Sequence, residues 1–213
     1  TPIPRTLNLS LSKVRDISLI TTPPTGRKSV KTIVSRYSKS LVFEAIQREF
    51  YRDGQVFYLL NNVSMLEEKK KEISDRFPDK KIAFAHGQLR PKELSKVMES
   101  FIRKEIDLLV CTTIIESGID IENANTLIVE ESENYGLSQL HQIRGRVGRS
   151  KREAYAYFFL NENKELKNKA SERIEALQEN ESLLSGFSLA MRDLEIRGAV
   201  SYTHLTLPTI AGV

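Results

Sequence analysis

Residues 41–60 read Leu-Val-Phe-Glu-Ala-Ile-Gln-Arg-Glu-Phe-Tyr-Arg-Asp-Gly-Gln-Val-Phe-Tyr-Leu-Leu, and this stretch decides the fold class. Its first half has the amphipathic texture of a helix over 41–51, and Asp53-Gly54 ends it. Its second half, 55–60, is a short and almost wholly apolar run, which reads as a strand buried on both faces. Working outward, the same alternation recurs. Residues 30–34 precede the helix as a strand, 64–77 follow as a helix, and 81–85 as a strand. Residues 91–101 form a helix whose Pro91 suits the first turn. Residues 107–112 and 126–130 are further short apolar runs, 138–144 a short helix and 154–160 a last strand, before a long polar helix over 165–178. Strands alternating with helices imply right-handed crossovers and an α/β fold, a mainly parallel sheet with helices on both faces. Such sheets bind ligands beyond the carboxyl ends of their strands, and the loops after Thr112 and before Gly145 are expected there.

Upstream, residues 1–29 are rich in Pro, Thr and Ser, with Pro2, Pro4, Pro23 and Pro24 around a short apolar segment, and read as a linker. A length of 213 residues allows one such domain with an appendage. The excess of 32 basic over 28 acidic residues, a net charge of +4, is compatible with nucleic acid and too mild to demonstrate it. A single cysteine, Cys111, excludes an internal disulfide; in the run Leu108-Leu109-Val110-Cys111 it is expected to pack as a small hydrophobe in a reducing cytoplasm. The start, Thr-Pro-Ile-Pro-Arg-Thr, has no signal-peptide pattern, and no apolar run approaches the ~20 residues that span a bilayer. Three scattered histidines and one cysteine form no zinc constellation, so a metal, if used, is expected to be Mg²⁺ arriving with nucleotide.

The residues with the most specific chemistry are 139–149, Gln-Leu-His-Gln-Ile-Arg-Gly-Arg-Val-Gly-Arg. Guanidinium groups stay charged near neutral pH and present forked donors that match phosphate oxygens, while Gly145 and Gly148 let backbone approach closely. Arg144, Arg146 and Arg149 therefore point to phosphate handling. The plainer alternative is an arginine-rich helix end that is solvated or covers carboxyl-terminal carbonyls. In Thr112-Thr113-Ile114-Ile115-Glu116-Ser117-Gly118-Ile119-Asp120-Ile121 two hydroxyls, a glycine and a carboxylate follow a buried strand, suited either to phosphate and ribose contacts or to capping a helix. His86-Gly87, after the strand at 82–85, is either a structural hydrogen-bonding pair or a backbone contact to nucleic acid. His141 either orients the arginines or packs, and Lys69, Lys70 and Lys71 read as a solvated helix face.

The spacing Gln142-x-x-Gly145-Arg146-x-Gly148-Arg149 resembles the last conserved motif of superfamily 2 helicases and translocases, whose lobes are RecA-like. The resemblance implies that Arg146 and Arg149 act as catalytic fingers on the γ-phosphate of a nucleotide held by another lobe, with Gln142 and Gly145 beside it. Residues 112–121 resemble the fifth motif, which implies that Thr112 and Thr113 hold nucleic-acid backbone while Gly118 and Asp120 face the nucleotide. His86 and Gly87 resemble the family's nucleic-acid-contacting His-Gly loop. Residues 1–6 resemble the third motif, so 1–29 are expected to link two lobes. No Gly-x-x-x-x-Gly-Lys-Ser/Thr loop occurs here, so ATP and Mg²⁺ are expected to be bound mainly by a first lobe outside this chain, and the chain is expected not to hydrolyse ATP by itself.

Residues 136–149, Gly-Leu-Ser-Gln-Leu-His-Gln-Ile-Arg-Gly-Arg-Val-Gly-Arg, are shared by two families of duplex-DNA translocases, the bacterial transcription-repair coupling factors and the fork-regressing, branch-migrating helicases. The segment from Val14 to Arg27, Asn125-Thr126, Ser150 and Ala154-Tyr155-Ala156-Tyr157 resemble the coupling factors more. That resemblance implies double-stranded DNA as ligand and RNA polymerase and nucleotide excision repair proteins as partners of the whole protein, in the cytoplasm. It divides the chain into a linker at 1–29, a second motor lobe at 30–161 and a helical hairpin at 162–199. There 186–199 resemble the translocation motif, with Arg192, Glu195 and Arg197 as coupling residues; read without the family, Phe187, Ala190, Leu194 and Ile196 are an apolar helix face. Residues 200–213 have no Asp, Glu, Lys or Arg and are expected to be a tail foreign to the gene. Two other functions remain: a stand-alone nucleic-acid-binding module, and a dinucleotide-binding domain, which the lack of Gly-x-Gly-x-x-Gly makes remote.

Overall fold

The computed structural model of the chain describes residues 29–112, 121–150 and 152–162, together with 172, 176 and 177. Six strands form one sheet: β1 (Val30–Arg36), β2 (Gln55–Leu59), β3 (Ile82–Ala85), β4 (Leu108–Cys111), β5 (Ala124–Val129) and β6 (Ala154–Leu160). Their spatial order is β1-β6-β5-β2-β4-β3, and every pairing is parallel. Among the described residues, four helices are described over their full length: α1 (Lys39–Tyr51), α2 (Leu66–Arg76), α3 (Pro91–Ile102) and α4 (Leu137–Arg144).

The direction of travel across the sheet assigns each helix its face. The steps β1-α1-β2 and β2-α2-β3 move toward the β3 edge, whereas β3-α3-β4 and β5-α4-β6 move back toward β1. Right-handed crossovers in opposite directions must lie on opposite faces. Accordingly Val42, Ala45, Ile46 and Phe50 of α1 and Leu66 and Ile73 of α2 pack with Val56 and Tyr58 on one face. Met98 and Phe101 of α3 and Leu137, Leu140 and Ile143 of α4 pack with Phe57 and Leu59 on the other. Successive β2 residues thus serve the two layers in turn, which is why this strand carries no polar alternation. Phe57 and Phe101 meet edge to face at 5.0 Å, and burying each such ring contributes roughly 2–3 kcal/mol.

Local chemistry sets the helix ends. Ser38 caps α1 by accepting from the Leu41 N–H, and Pro91 opens α3. After α1 it is Asp53 that enters the left-handed region, at φ 53°. Gly54 serves a different need, since a Cβ there would sit 1.6 Å from Oε1 of the buried Glu49. That carboxylate accepts from Arg52 and from the Thr126 hydroxyl, so it cannot simply swing away.

Two boundaries differ from the sequence expectation. β5 begins at Ala124, because Asn125 and Thr126 are themselves buried in the sheet. The helix expected over 64–77 opens as a 3-10 turn, Val63–Met65, capped by Asn62. Cys111 is fully buried in the core and burial pushes its thiol up. No helix among the described residues is long and apolar enough to cross a membrane. Of the helix expected over 165–178, positions 172, 176 and 177 are described and helical; the hairpin reading of 162–199 otherwise lies outside the described residues.

Candidate nucleotide and nucleic-acid site

The turn before α4 lies at the carboxyl ends of the strands, as expected. Glu131 takes the left-handed conformation, φ 47°, and its carboxylate accepts from Asn134 and Asn161. The Ser132 hydroxyl donates to the Phe159 carbonyl. From this corner α4 runs back across the sheet, and its carboxyl-terminal residues reach the opposite rim. Gly148 N–H donates to the Ala124 carbonyl at 3.4 Å, and a Cβ on Gly148 would lie 2.9 Å from the Ala154 Cβ and 3.1 Å from Val30. Ala124, Ala154 and Val30 each open a strand, so the arginine-glycine loop sits at the amino ends. A common carboxyl-end site for both loops is thereby corrected: an eight-residue helix, about 12 Å long, separates the arginines from the turn.

The structure also separates the three arginines. Arg144 is 5% exposed and donates to the Leu177 carbonyl at 3.1 Å and the Thr32 hydroxyl at 3.3 Å. It fastens α4 to β1 and to the chain beyond β6. Arg146 is half-buried, with its Nε enclosed, and Arg149 is exposed at the loop. His141 Nδ1 lies 3.0 Å from Arg144 Nη2. A guanidinium only donates, so Nδ1 accepts and the ring is neutral. Burial, reinforced by the Arg144 charge, lowers the His141 pKa to about 4. Half-buried His141 accepts from Arg144, the buried arginine, and has no such bond to Arg146 or Arg149 among the described residues.

The glycines divide in the same way. Gly148 has φ +75° as well as its close neighbours, so the fold itself demands glycine. Gly145 caps α4 at φ −67°, and a Cβ there would meet the Gln142 and His141 carbonyls at 3.4 and 3.5 Å, ordinary contacts. Gln142 is half-buried on α4. Ser150 donates to Asn125 at 2.8 Å, a second stitch between the loop and the start of β5. A loop held by the sheet, with one exposed and one half-buried arginine and one glycine the fold does not require, suits a polyphosphate anion brought from outside the chain.

At the other rim, His86 follows β3 and Thr112 follows β4, and Thr112 N–H donates to the Ala85 carbonyl at 3.3 Å. The His86 ring is parallel to Phe84 at 6.1 Å and its Nδ1 is buried without a hydrogen-bond partner, while Gly87 is exposed. The structure thus brings His86, Gly87 and Thr112 together, apart from Gln142, Gly145, Arg146 and Arg149. Thr113, Gly118, Asp120, Arg192, Glu195 and Arg197 lie outside the described residues. No cluster of three or more metal-ligating side chains occurs among the described residues.

One charged cluster escaped the sequence reading. Lys69 is not solvated but 9% exposed, paired with Glu130 at 3.0 Å and Glu72 at 2.9 Å and donating to the Tyr37 hydroxyl at 3.1 Å. Burial is the largest single influence and works against its charge, but Glu130, Glu72 and the Tyr37 hydroxyl together outweigh it and hold the ammonium protonated above the ordinary lysine range. Tyr58 donates to Glu130, and burial followed by that carboxylate raises its phenol. The cluster anchors the β5 end from which the turn to α4 departs. A carboxylate closing an apolar strand was its only trace in the sequence.

The profile of the helicase conserved C-terminal domain matches residues 39–151. The chain is 54% identical over 199 residues to the transcription-repair-coupling factor of Staphylococcus haemolyticus (strain JCSC1435), and 53% identical to that of Staphylococcus aureus (strain USA300). Each alignment covers 93% of this chain, and the chain spans 17% of the length of each relative. Among solved structures, RecG bound to a three-way DNA junction superposes with a TM-score of 0.78 at 36% identity, over 93% of this chain and 26% of that one. The helicase Lhr of Mycobacterium smegmatis, bound to single-stranded DNA and AMP-PNP, shares the fold alone: TM-score 0.53, 14% identity, 74% of this chain and 22% of that one.

Proposed function

The chain belongs to the helicase conserved C-terminal domain family, and on that premise we propose that it is the second motor lobe of an ATP-driven double-stranded DNA translocase of the transcription-repair coupling kind. The observation that carries this reading is the arginine-glycine loop held against the sheet by Gly148 and Ser150. ATP, with Mg²⁺, supplies the phosphoryl group and the free energy, and is held mainly by a first lobe. Arg146 and Arg149 bind the terminal phosphate and stabilise the charge that develops there, and Gly145 and Gln142, together with Gly118 and Asp120, contribute to nucleotide binding.

His86, Gly87 and Thr112 at the opposite rim, together with Thr113, grip the nucleic-acid backbone; Arg192, Glu195 and Arg197 relay nucleotide state to the duplex. In the whole protein this motor displaces stalled RNA polymerase and engages nucleotide excision repair proteins, in the cytoplasm. The 53–54% identity to coupling factors, against 36% to RecG, favours this over fork regression. Arg149→Ala in the whole protein tests the reading. ATP hydrolysis and polymerase displacement should fall together by about a thousandfold; undiminished hydrolysis would end it.

A further inference from the structure

The α1–α2 layer, on the face of the sheet opposite to α4, holds a cavity that the motor does not use. It lies between the carboxyl end of α1 and the turn after α2 and has a volume of about 260 Å³. Its floor is aromatic: Phe50 and Phe77 meet edge to face at 5.3 Å, with Pro78 beside them. Tyr51 stands at its mouth, 82% exposed against 50% for Ile102 and 42% for Met65. A lone exposed ring is ordinary, but a ring in water at the mouth of an apolar cup continues the same apolar surface.

The rim is cationic. The Lys80 ammonium lies 5.1 Å from the centre of the Phe50 ring and the Arg76 guanidinium 5.9 Å from that of Phe77. Along α1, past Tyr51, the Arg48 guanidinium stacks on Tyr155 at 3.6 Å. Lys80 has a partner in Asp107 at 3.5 Å, whereas Arg48 and Arg76 are held on rings and by a phenol, with no carboxylate within ion-pair distance among the described residues. Asp79 is the one carboxylate lining the cup.

We infer that this cup is a docking site for an acidic peptide segment with one bulky apolar anchor, the anchor resting on the floor that Phe50, Phe77 and Pro78 form and its flanking carboxylates meeting Arg76 at the rim. Charge complementarity selects the flanks, and the apolar floor selects the anchor. Nucleic acid fits less well. Phosphates gain nothing from an apolar floor, and of the three rings only Tyr51 is open to solvent, so the deeper Phe50 and Phe77 would go unused by a stacked base. The cup lies on the other face of the sheet from α4 and at the far end of the strands from His86 and Thr112, so an occupant leaves the His86–Thr112 rim open.

The inference does not rest on the motor reading, and its test is binding alone. The full chain is titrated with a fluorescein-labelled peptide, Glu-Glu-Asp-Phe-Asp-Glu-Glu, with the same peptide carrying Ala for Phe, and with a short labelled DNA duplex. Two exposed positions are varied, Tyr51→Ser and Arg76→Glu, and circular dichroism checks that each variant is folded. The expected result is saturable micromolar binding of the Phe peptide, weakened about tenfold or more by either variant, by the Ala peptide and by salt. Absence of saturation to about 1 mM, binding indifferent to both variants, duplex displacing the peptide, or a concentration-dependent self-association that Tyr51→Ser abolishes would each overturn it.

Discussion

The two rims of the sheet are built differently. The amino-end loop is a closed object: Gly148 is wedged against Ala154 and Val30, Ser150 is tied to Asn125, and Arg144 at its root is buried. The carboxyl-end rim is an array of strand ends, where His86 and Thr112 are placed by the ladder and Gly87 is open to solvent. A five-residue strand such as β2 spans about 17 Å, so the rims cannot share a small ligand.

The sharpest way to break this comparison is a pair of substitutions in the whole protein. Arg146→Ala should lower ATP hydrolysis about a thousandfold with nucleic-acid affinity nearly intact. Thr112→Ala should weaken nucleic-acid binding by about tenfold or less and spare hydrolysis measured without nucleic acid. Equal losses in both assays from both variants would mean that the rims are not functionally distinct.

Next in size is Arg144→Met. Three acceptors, on Leu177, Thr32 and His141, lose their donor, and denaturant unfolding should show a loss of about 3 kcal/mol. A stable but hydrolysis-dead Arg144→Met would instead place this arginine with the other two.

The glycines sharpen the contrast within the loop. Gly148→Ala combines a left-handed backbone with a 2.9 Å contact and should destabilise by about 2 kcal/mol. Gly145→Ala should leave stability within about 0.5 kcal/mol. If Gly145→Ala nevertheless abolishes hydrolysis in the whole protein, the crowding that excludes a side chain there belongs to the ligand.

The smallest expected effect is one of pH. Folded His141 resists protonation, with its pKa lowered from 6.5 to about 4, whereas the unfolded chain accepts the proton near the ordinary value. The unfolded state therefore binds more protons across that window, and stability should decline as pH falls from about 6.5 toward about 4. His141→Gln should flatten that part of the stability profile; an unchanged slope would mean that other groups carry it.

Most of the architecture was legible in the sequence. The run at 154–160 matches β6 in full, Pro91 opens α3 as its chemistry requires, and the buried run after Gly54 is the central β2. Periodicity and turn chemistry are local, and local signals survive in a linear string. The α/β class and the spacing of Gln142, Gly145, Arg146, Gly148 and Arg149 belong to that part. What the string could not contain is which neighbours distant strands bring. Lys69 looks solvated until Glu130 arrives from the end of β5. Arg144 looks like a third phosphate ligand until Thr32 and Leu177 close around it. The arginine loop looks like part of a carboxyl-end crevice until α4 carries it to Ala124. Burial, ion pairing and rim assignment are sums over contacts between residues far apart in the chain, and only tertiary packing sets them.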